Sequence, residues 1–338
     1  MGDLRSNNPT SCDVAIIGGG IIGCAVAFFL SLQTGSRQRI IVIEKDPRYR
    51  HASTALSAAS IRTQFSNRVN VEMSLFGGKF LREFSALFTP QQGPHDLGFR
   101  ENGYLFLAET PDQISRLRTN HAVQNDAGVD VVILEESNLN ARFPYLKIAT
   151  GTIGSLGLSG EGWFDNMGLL GGLKQLAKAN GVLFLNDRVS GFRMDRNRIE
   201  ALDLASGQVI RSGDFVNAAG PRAAQLAAMA GLHLPIEPRK RTTFVFQTPK
   251  PPPPDTPLIV DPAGVYVRPE GRYWMAAVQP DPDPPVAYSD LEPRFEEFDS
   301  LVWPRLASRA HLFEAAKCRR MWAGHYAYNT LDQNAIIG

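Results

Sequence analysis

The glycines at 18–23, in the order Gly-Gly-Gly-Ile-Ile-Gly, constrain this chain more than any other feature. They fit the pattern G-x-G-x-x-G, which is weak on its own because glycine-rich turns are common. Here an apolar run precedes the glycines and a second run follows them, so the pattern predicts a buried strand, a tight turn and a helix. In such a unit Gly18 permits the turn, Gly20 lets the backbone approach a pyrophosphate, and Gly23 lets the helix pack on the strand.

The second half of the same unit is the predicted strand 39–44, which ends in Glu44. A carboxylate 21 residues after Gly23 can accept hydrogen bonds from both hydroxyls of an adenosine ribose, and it repels a 2′-phosphate. NADP is therefore disfavoured. Ile21 and Ile22 begin the predicted helix, whose free N–H groups and positive dipole end favour phosphate. This fingerprint predicts a dinucleotide site and leaves FAD and NAD both open.

Residues 14–30 carry no charge, and a signal peptide or a membrane helix is an alternative interpretation of that run. The run is shorter than the roughly 20 apolar residues that a membrane helix needs. It also contains clustered glycines and is not followed by a small-residue cleavage site. We therefore favour the buried strand, turn and helix, and we predict no membrane span.

Charge and cysteine content exclude several other classes of protein. The 35 Lys and Arg residues balance 34 Asp and Glu residues, so no excess positive charge points to nucleic acid or an anionic membrane. The three cysteines, Cys12, Cys24 and Cys318, are too few and too scattered for a disulfide framework or a zinc site. The six histidines show no metal-ligand spacing, so no metal is predicted. A reducing compartment and a cytoplasmic location are expected.

The rest of the chain alternates between α/β stretches and strand-rich stretches, which predicts an α/β protein with a discontinuous domain and an inserted one. The Rossmann-like nucleotide-binding domain is expected to comprise residues 12–90, 150–235 and 320–338. The inserted substrate domain is expected to be a β-rich α+β unit that comprises residues 91–149 and 236–319.

Three finer predictions concern single elements. Residues 189–211 have the pattern of a small antiparallel meander. Residues 213–219 read as a separate buried strand, and residues 292–316 as a helix.

Four longer stretches resemble the D-amino-acid oxidase/sarcosine oxidase superfamily of FAD-dependent oxidoreductases, and the resemblance covers nearly the whole chain. They are the nucleotide unit at 13–46, the Ser/Thr-rich loop STALSAASIRTQFS at 53–66, DFVNAAGPRA at 214–223, and the tail at 324–338. The resemblance is nearest to the FAD-dependent oxidoreductase domain-containing and dimethylglycine dehydrogenase-like branch. It implies an FAD-binding domain of the GR2 type and FAD, not NAD, as the cofactor.

The resemblance also implies a set of FAD-binding residues, taken position by position. The pyrophosphate and ribose positions are Gly18, Gly20, Ile21, Ile22, Gly23 and Glu44. Lys45 is expected beside the adenosine, Val189 at the adenine, and Ala219 and Gly220 at the pyrophosphate turn. The loop that reaches toward the flavin ring is expected to contribute Ser53, Thr54, Ser57, Ala58 and Arg62. Without the resemblance, this loop would be interpreted as flexible and polar.

Members of the superfamily oxidise the C–N bond of small amino acids or N-methyl amino acids, with a hydride passing to the flavin, so the resemblance implies an enzyme that holds a carboxylate. Arg62 is the first candidate, because it directly follows the Ser/Thr-rich loop, where the resemblance implies an arginine near the flavin or the substrate carboxylate, and a guanidinium offers a carboxylate a bidentate fork; an ordinary surface ion pair is the alternative. Tyr266 and Arg268 share one face of a predicted strand and are weaker candidates. His325 is the last candidate, although a lone histidine is more often structural.

The chain also departs from the superfamily in three ways. No lysine occurs at 273–279, where oxidases of the sarcosine type carry one, so oxidase and dehydrogenase, with O2 or a carrier as acceptor, remain open. The Cys and His that attach flavin covalently in some relatives are missing, so non-covalent FAD is predicted. Relatives continue beyond the position of Gly338, so the chain is expected to be incomplete around the flavin ring. A non-catalytic flavin-binding assembly or scaffold protein remains an alternative, as does an NAD-linked dehydrogenase.

Overall fold

The structure is a computed structural model that describes residues 9–34, 37–89, 93 and 95–338. Its strands are β1 (Ser11–Ile17), β2 (Ile40–Glu44), β3 (Ser60–Ile61), β4 (Tyr104–Ala108), β5 (Val131–Leu134), β6 (Ile153–Gly157), β7 (Gly162–Trp163), β8 (Leu183–Asn186), β9 (Val189–Asp195), β10 (Arg198–Leu204), β11 (Val209–Asn217), β12 (Ile236–Gln247), β13 (Leu258–Val260), β14 (Val265–Glu270), β15 (Tyr273–Val278) and β16 (Lys317–Asn329). Its α-helices are α1 (Ile21–Thr34), α2 (Ser53–Leu56), α3 (Arg68–Glu83), α4 (Pro111–Asp126), α5 (Glu136–Arg142), α6 (Asn166–Ala179), α7 (Ala223–Met229) and α8 (Trp303–Arg309).

The first sheet has six strands in the order β8-β2-β1-β11-β10-β9. The first four strands are parallel, and β10 and β9 continue the sheet as an antiparallel meander. Helix α1 follows β1 and packs against α6 on one face, where Ile16, Phe28, Val42 and Leu173 form part of a continuous buried core. The predicted strand–turn–helix–strand unit is therefore confirmed.

The second sheet has eight strands in the order β16-β12-β15-β14-β13-β4-β6-β5. It is antiparallel except for the parallel pair β13 and β4. A π-helical turn at Phe298–Val302, helix α8 and a 3-10 turn at His311–Phe313 pack on this sheet. Trp274 is fully buried there, and its ring centroid lies 4.9 Å from that of Phe313.

The two sheets confirm the predicted fold class, a Rossmann-like α/β unit joined to a β-rich unit. Two strands lie in a different sheet from the one that the sequence predicts. Residues 153–157 (β6) and 317–329 (β16) pair in the second sheet, although ranges 150–235 and 320–338 are predicted to belong to the nucleotide-binding domain. An apolar strand pattern shows that a strand is buried and does not show which sheet it joins. The exact division into domains stays a proposal, and its predicted boundary at 90 and 91 lies outside the described residues.

Two of the finer predictions are wrong in their bounds. The predicted break between the meander and the strand at 213 is missing, because β11 runs unbroken over Val209–Asn217. Of the predicted helix over 292–316, residues 292–295 are not helical; the helical turns run from 296 to 309, and a separate 3-10 turn follows at His311–Phe313. The Arg294 N–H donates to Thr242 Oγ1, so the backbone at the start of that range is bound to β12 and not within a helix.

Within the part of the chain that the structure describes, no helix has the length and apolar character needed to cross a membrane. The uncharged run at 14–30 is divided between β1 and α1, which are separated by the glycine turn.

Candidate functional site

A cavity of about 1330 Å³ opens at the carboxyl ends of β1, β2 and β11 and extends to the second sheet. Glu44 and Ala219 line it from the first sheet, and Tyr266, Val278 and His325 line it from the second. Open α/β sheets bind their ligands in the crevice beyond the carboxyl ends of the strands. The position and size of the cavity therefore suit a large, elongated ligand that lies between the two sheets.

The three glycines of the fingerprint have different surroundings. Gly18 has a φ of +104°, and a Cβ added there would lie 2.3 Å from Ala218 O. A Cβ at Gly23 would lie 1.9 Å from Gly18 O, so this glycine is required for the close packing of α1 on the turn. A Cβ at Gly20 would meet only Thr54 Oγ1, at 3.4 Å. Gly20 therefore leaves space that belongs to the cavity, as a phosphate cradle requires.

Glu44 is held rigidly at the end of β2. Its Oε2 accepts a hydrogen bond from Gly19 N at 2.7 Å, and its Oε1 accepts one from Asp46 N at 2.8 Å. The Ile21 N–H, which the sequence assigns to the phosphate, donates to Thr54 Oγ1 at 3.1 Å. The loop that follows β2 therefore contacts the start of α1 directly.

The end of the cavity beside Glu44 also carries three basic residues. Lys45, Arg188 and Arg222 all line it. Burial, followed by the nearby charge of Arg222, lowers the pKa of Lys45. The Arg222 guanidinium lies 4.6 Å from the ring centroid of Tyr288, a residue outside the motifs on which the sequence prediction rests.

The Ser/Thr-rich loop at 53–62 is fixed in place by side chains and backbone from distant elements. Ser53 Oγ donates to His325 O at 2.7 Å, Trp322 Nε1 donates to Leu56 O at 2.9 Å, and Arg268 Nη2 donates to Ala58 O at 2.9 Å. Asn166 Nδ2 donates to Thr54 O and, at 3.3 Å, to Ser57 Oγ. The interpretation of this loop as flexible and polar does not hold.

The structure brings nearly all of the predicted site residues to one cavity. Those that line it are Gly18, Gly20, Ile21, Ile22, Glu44, Lys45, Ser53, Thr54, Ser57, Ala58, Arg62, Val189, Ala219, Gly220, Tyr266 and His325. Gly23 and Arg268 do not line it. Gly23 instead allows the helix packing described above.

Arg62 faces the cavity with its charge unpaired. Its guanidinium carbon lies 4.5 Å from the ring centroid of Phe65 and 5.7 Å from that of Phe106. Among the described residues, its side chain has no hydrogen bond and no ion pair. The surface ion pair that was the alternative for this residue is therefore not formed in the described part of the chain.

Tyr266 and Arg268 share a face of β14 but reach different surroundings. Tyr266 is on the cavity wall, and burial raises its pKa strongly. Arg268 is buried behind the loop, where it binds Ala58 O and pairs with Glu270 Oε2 at 2.6 Å. The structure thus places Arg268 as a support of the loop, outside the cavity in which it is predicted to act.

The His325 ring is engaged on one side. Its Nε2–H donates to Asp290 O at 2.6 Å, and the Asp290 carboxylate accepts from Lys240 Nζ at 2.7 Å. The hydrogen bond from Lys240 lowers the pKa of Asp290. His325 lines the cavity, but only its Nδ1 is left for a ligand.

Sequence reasoning missed several residues that build this site. Tyr104 lines the cavity, and burial raises its pKa to about 12. Asn166 and Trp322 bind the loop, and the buried Glu161 binds the residues that follow it. No motif surrounds any of these positions, and all but Tyr104 act through contacts between residues far apart in the chain. In the described residues no group of three or more His, Cys, Asp or Glu side chains could hold a metal ion.

Comparison with known proteins identifies the fold and the cofactor. The family model for FAD dependent oxidoreductases matches residues 13–338. The chain belongs to this family. It is 36% identical over 372 aligned positions to the FAD-dependent oxidoreductase domain-containing protein 1 of Bos taurus, and the match covers 98% of this chain and 75% of that protein. The Xenopus laevis protein of the same name is 33% identical, with coverage of 100% and 74%.

Two solved structures of similar architecture carry the names of enzymes that act on amino acids. L-proline dehydrogenase from P. horikoshii superposes with a TM-score of 0.85 at 25% identity, over 98% of this chain and 85% of that one. Glycine oxidase from Geobacillus kaustophilus superposes with a TM-score of 0.80 at 24% identity, over 97% and 86%, which establishes the shared fold. The predictions of an enzyme and of FAD as cofactor are confirmed by the family, and the NAD-linked alternative is wrong.

We expect the FAD of this oxidoreductase to be bound without a covalent bond. The described lining contains no cysteine, and its histidines are His51 and His325, of which the latter has Nε2 engaged. Acid precipitation of the purified holoenzyme should leave the yellow colour in the supernatant. Colour retained in the pellet would contradict this, and peptide mapping would then locate the attachment site.

Proposed function

We propose that this chain oxidises the C–N bond of a small amino acid or N-methyl amino acid, with a hydride transferred from the substrate carbon to FAD. The observation that carries the proposal is the unpaired guanidinium of Arg62 in the cavity. The names of several relatives support it. Glycine oxidase of Geobacillus kaustophilus and dimethylglycine dehydrogenase of Rattus norvegicus are 27% and 26% identical over 71% and 70% of this chain.

The residues present fit FAD along the first sheet. Gly20 leaves space for the pyrophosphate, and Ala219 and Gly220 line the cavity at the end of β11. Glu44 retains acceptor capacity for the ribose hydroxyls, since a carboxylate offers about four lone-pair sites and two are used by backbone N–H groups. Bound there, FAD supplies the hydride acceptor, while the protein supplies position and electrostatics.

The substrate is expected to bind in the part of the cavity around Arg62. A carboxylate there forms a charge-assisted pair with a guanidinium that has no other charged partner among the described residues. Tyr266 lines the same cavity, and its phenol, whose pKa is raised further by burial, is a second hydrogen-bond donor for the substrate. The rings of Phe65 and Tyr104 line the cavity near Arg62 and give this part of it an apolar wall.

The described lining has no carboxylate near Arg62 to take a proton from the amine. Its acidic residues are Glu44 and Asp187, and the Asp187 N–H donates to Glu44 O, so both lie at the adenosine end. The amine is therefore expected to lose its proton to solvent or to the free Nδ1 of His325, and to react in its neutral form. Reaction with neutral amine leaves the substrate carboxylate as the one charge that the pocket must bind.

Replacing Arg62 with lysine tests the proposal. Arg62→Lys keeps the positive charge and loses the bidentate fork. Since a hydrogen bond to a charged group contributes about 1.5–3 kcal/mol, kcat/KM for an amino acid should fall about tenfold to a hundredfold. An amine without a carboxylate should react almost as before. Arg118→Lys, at an exposed ion pair with Glu135, serves as the control.

Equal losses for both kinds of substrate would contradict the proposal, because Arg62 would then serve FAD. Wild-type protein that holds FAD and is not reduced by any amine or amino acid would instead favour the alternative, a non-catalytic flavin-binding assembly or scaffold protein.

A further inference from the structure

Glu161 is a fully buried carboxylate between β6 and β7, outside the lining of the cavity. It has no ion-pair partner among the described residues. It accepts five hydrogen bonds. Those to Oε1 come from Thr63 N at 2.6 Å, Thr63 Oγ1 at 2.9 Å and Gln64 N at 3.0 Å, and those to Oε2 come from Gln64 Nε2 at 2.9 Å and Tyr104 N at 3.2 Å.

An isolated buried carboxylate is very costly, so a protein retains one only where donors surround it. Four of the five donors here are N–H groups, which can only donate, so the arrangement suits the ionised form. The surroundings also leave room for it, because a Cβ at Gly157 would lie 1.9 Å from Glu161 Oε2. The site is therefore built for a negative charge at this position.

Four of the five hydrogen bonds that Glu161 accepts are donated by Thr63 and Gln64, the two residues that directly follow Arg62. Among the described residues, Arg62 itself has no ion pair that could hold its guanidinium, which lies beside the rings of Phe65 and Phe106. Its place in the cavity must therefore be set by the backbone that carries it. The fifth bond goes to Tyr104, whose side chain lines the same cavity, so one carboxylate links two walls of the pocket.

We propose that Glu161 is a positioning residue, which holds the Arg62 guanidinium where the substrate carboxylate binds. The inference rests on the proposed function, since it requires that Arg62 bind a carboxylate. It assigns Glu161 no contact with substrate or FAD. Its removal should therefore weaken carboxylate recognition and leave FAD affinity unchanged.

The variant Glu161→Gln tests this at nearly constant volume. The glutamine amide has only one oxygen, so its NH2 group must face the N–H donors that one carboxylate oxygen of Glu161 accepts from, and those hydrogen bonds are lost. With the holoenzyme and acetate as an unreactive probe, the Kd read from the flavin absorbance should rise about tenfold to a hundredfold, because a displacement near 1 Å can cost that much. Hydrogen exchange at the amides of residues 63 and 64 should become faster. FAD affinity and turnover of an amine without a carboxylate should not change.

The matched control is Glu101→Gln. That carboxylate accepts from Gly160 N at 2.9 Å and pairs with Arg82, so it binds the residue just before Glu161 without touching residues 63 and 64. Its acetate Kd should be unchanged. If Glu161→Gln does not fold, Thr63→Val removes one donor to Oε1 and should raise the acetate Kd in the same direction by a smaller factor. An unchanged acetate Kd in the folded variants would overturn the inference.

A double variant separates this inference from the proposed function. If Glu161 acts through Arg62, adding Glu161→Gln to Arg62→Lys should weaken acetate binding by less than about threefold, since the two changes remove one interaction. Full additivity would overturn the positioning role. Unchanged acetate binding in Arg62→Lys would overturn the proposed function itself, and with it the inference. Weaker binding in Arg62→Lys alone, with Glu161→Gln like wild type, would overturn only the inference.

Discussion

A Gly20→Val variant should fold as the wild type does and lose its FAD. The space above Gly20 is occupied only by Thr54 Oγ1, 3.4 Å from the position of a Cβ, and the residue lines the cavity. A branched side chain there would fill the approach of the pyrophosphate without disturbing the core. We expect the Kd for FAD to rise at least about 100-fold, or about 2.7 kcal/mol. Titration of the apoprotein, followed by fluorescence or calorimetry, measures this directly.

The control for that variant is Gly171→Val. Gly171 lies in α6 and is exposed, and beyond the helix's own backbone no described atom lies within 4 Å of an added Cβ, so its substitution should affect neither folding nor FAD. Unchanged FAD affinity in Gly20→Val, with normal affinity in the control, would show that this turn is not the phosphate site.

A Gly23→Ala variant should instead lose stability, because Gly23 lies where α1 packs closely on the turn. Its Cβ would lie 1.9 Å from Gly18 O, which is backbone and cannot move aside without shifting α1 away from the turn. Overpacking a dense interior typically costs 1–3 kcal/mol and occasionally more, and this contact is severe enough that we expect a loss of about 3 kcal/mol in the free energy of unfolding. Denaturant unfolding of the apoprotein measures it. If the Gly23→Ala apoprotein has the same free energy of unfolding as the wild type, the close packing of α1 on the turn is contradicted.

The sequence predicts the first sheet's nucleotide unit well because its determinants are local. The glycine spacing at 18–23 and the carboxylate at Glu44 are read within about 30 residues, and strand, turn and helix follow from apolar periodicity over the same range. The structure reproduces these elements as β1, α1 and β2. Within residues 13–46, resemblance to a family was needed only to choose FAD over NAD and to place Lys45 beside the adenosine; outside them, it also supplied the loop at 53–62 and the positions of Val189, Ala219 and Gly220.

The supports of the site could not be predicted in this way. Glu161 is 98 residues from Thr63, and Trp322 is 266 residues from Leu56, whose carbonyl it binds. Periodicity shows which residues are buried and gives no information on which distant residue they meet. For the same reason, the sequence pattern did not show that β16 joins the second sheet.

The difference between Tyr266 and Arg268 has a related cause. Alternation along β14 correctly gives the two residues one face. Which of them reaches the cavity depends on where the loop at 53–62 crosses that face, and the carbonyl of Ala58 meets Arg268. The position of a loop against a sheet is a tertiary property that the strand pattern does not contain.

Anaerobic titration of the wild-type holoenzyme shows directly whether an amino acid reduces the bound FAD. Purified protein with bound FAD is mixed, without oxygen, with a panel of N-methyl amino acids, D-amino acids and matched amines that lack a carboxylate. We expect the flavin absorbance to bleach with at least one amino acid, and more readily than with its matched amine; admitting air or a carrier then shows which acceptor restores the colour. Absorbance that stays unchanged with every member of the panel, in protein that is folded and fully loaded with FAD, would contradict the proposed oxidation of amino acids.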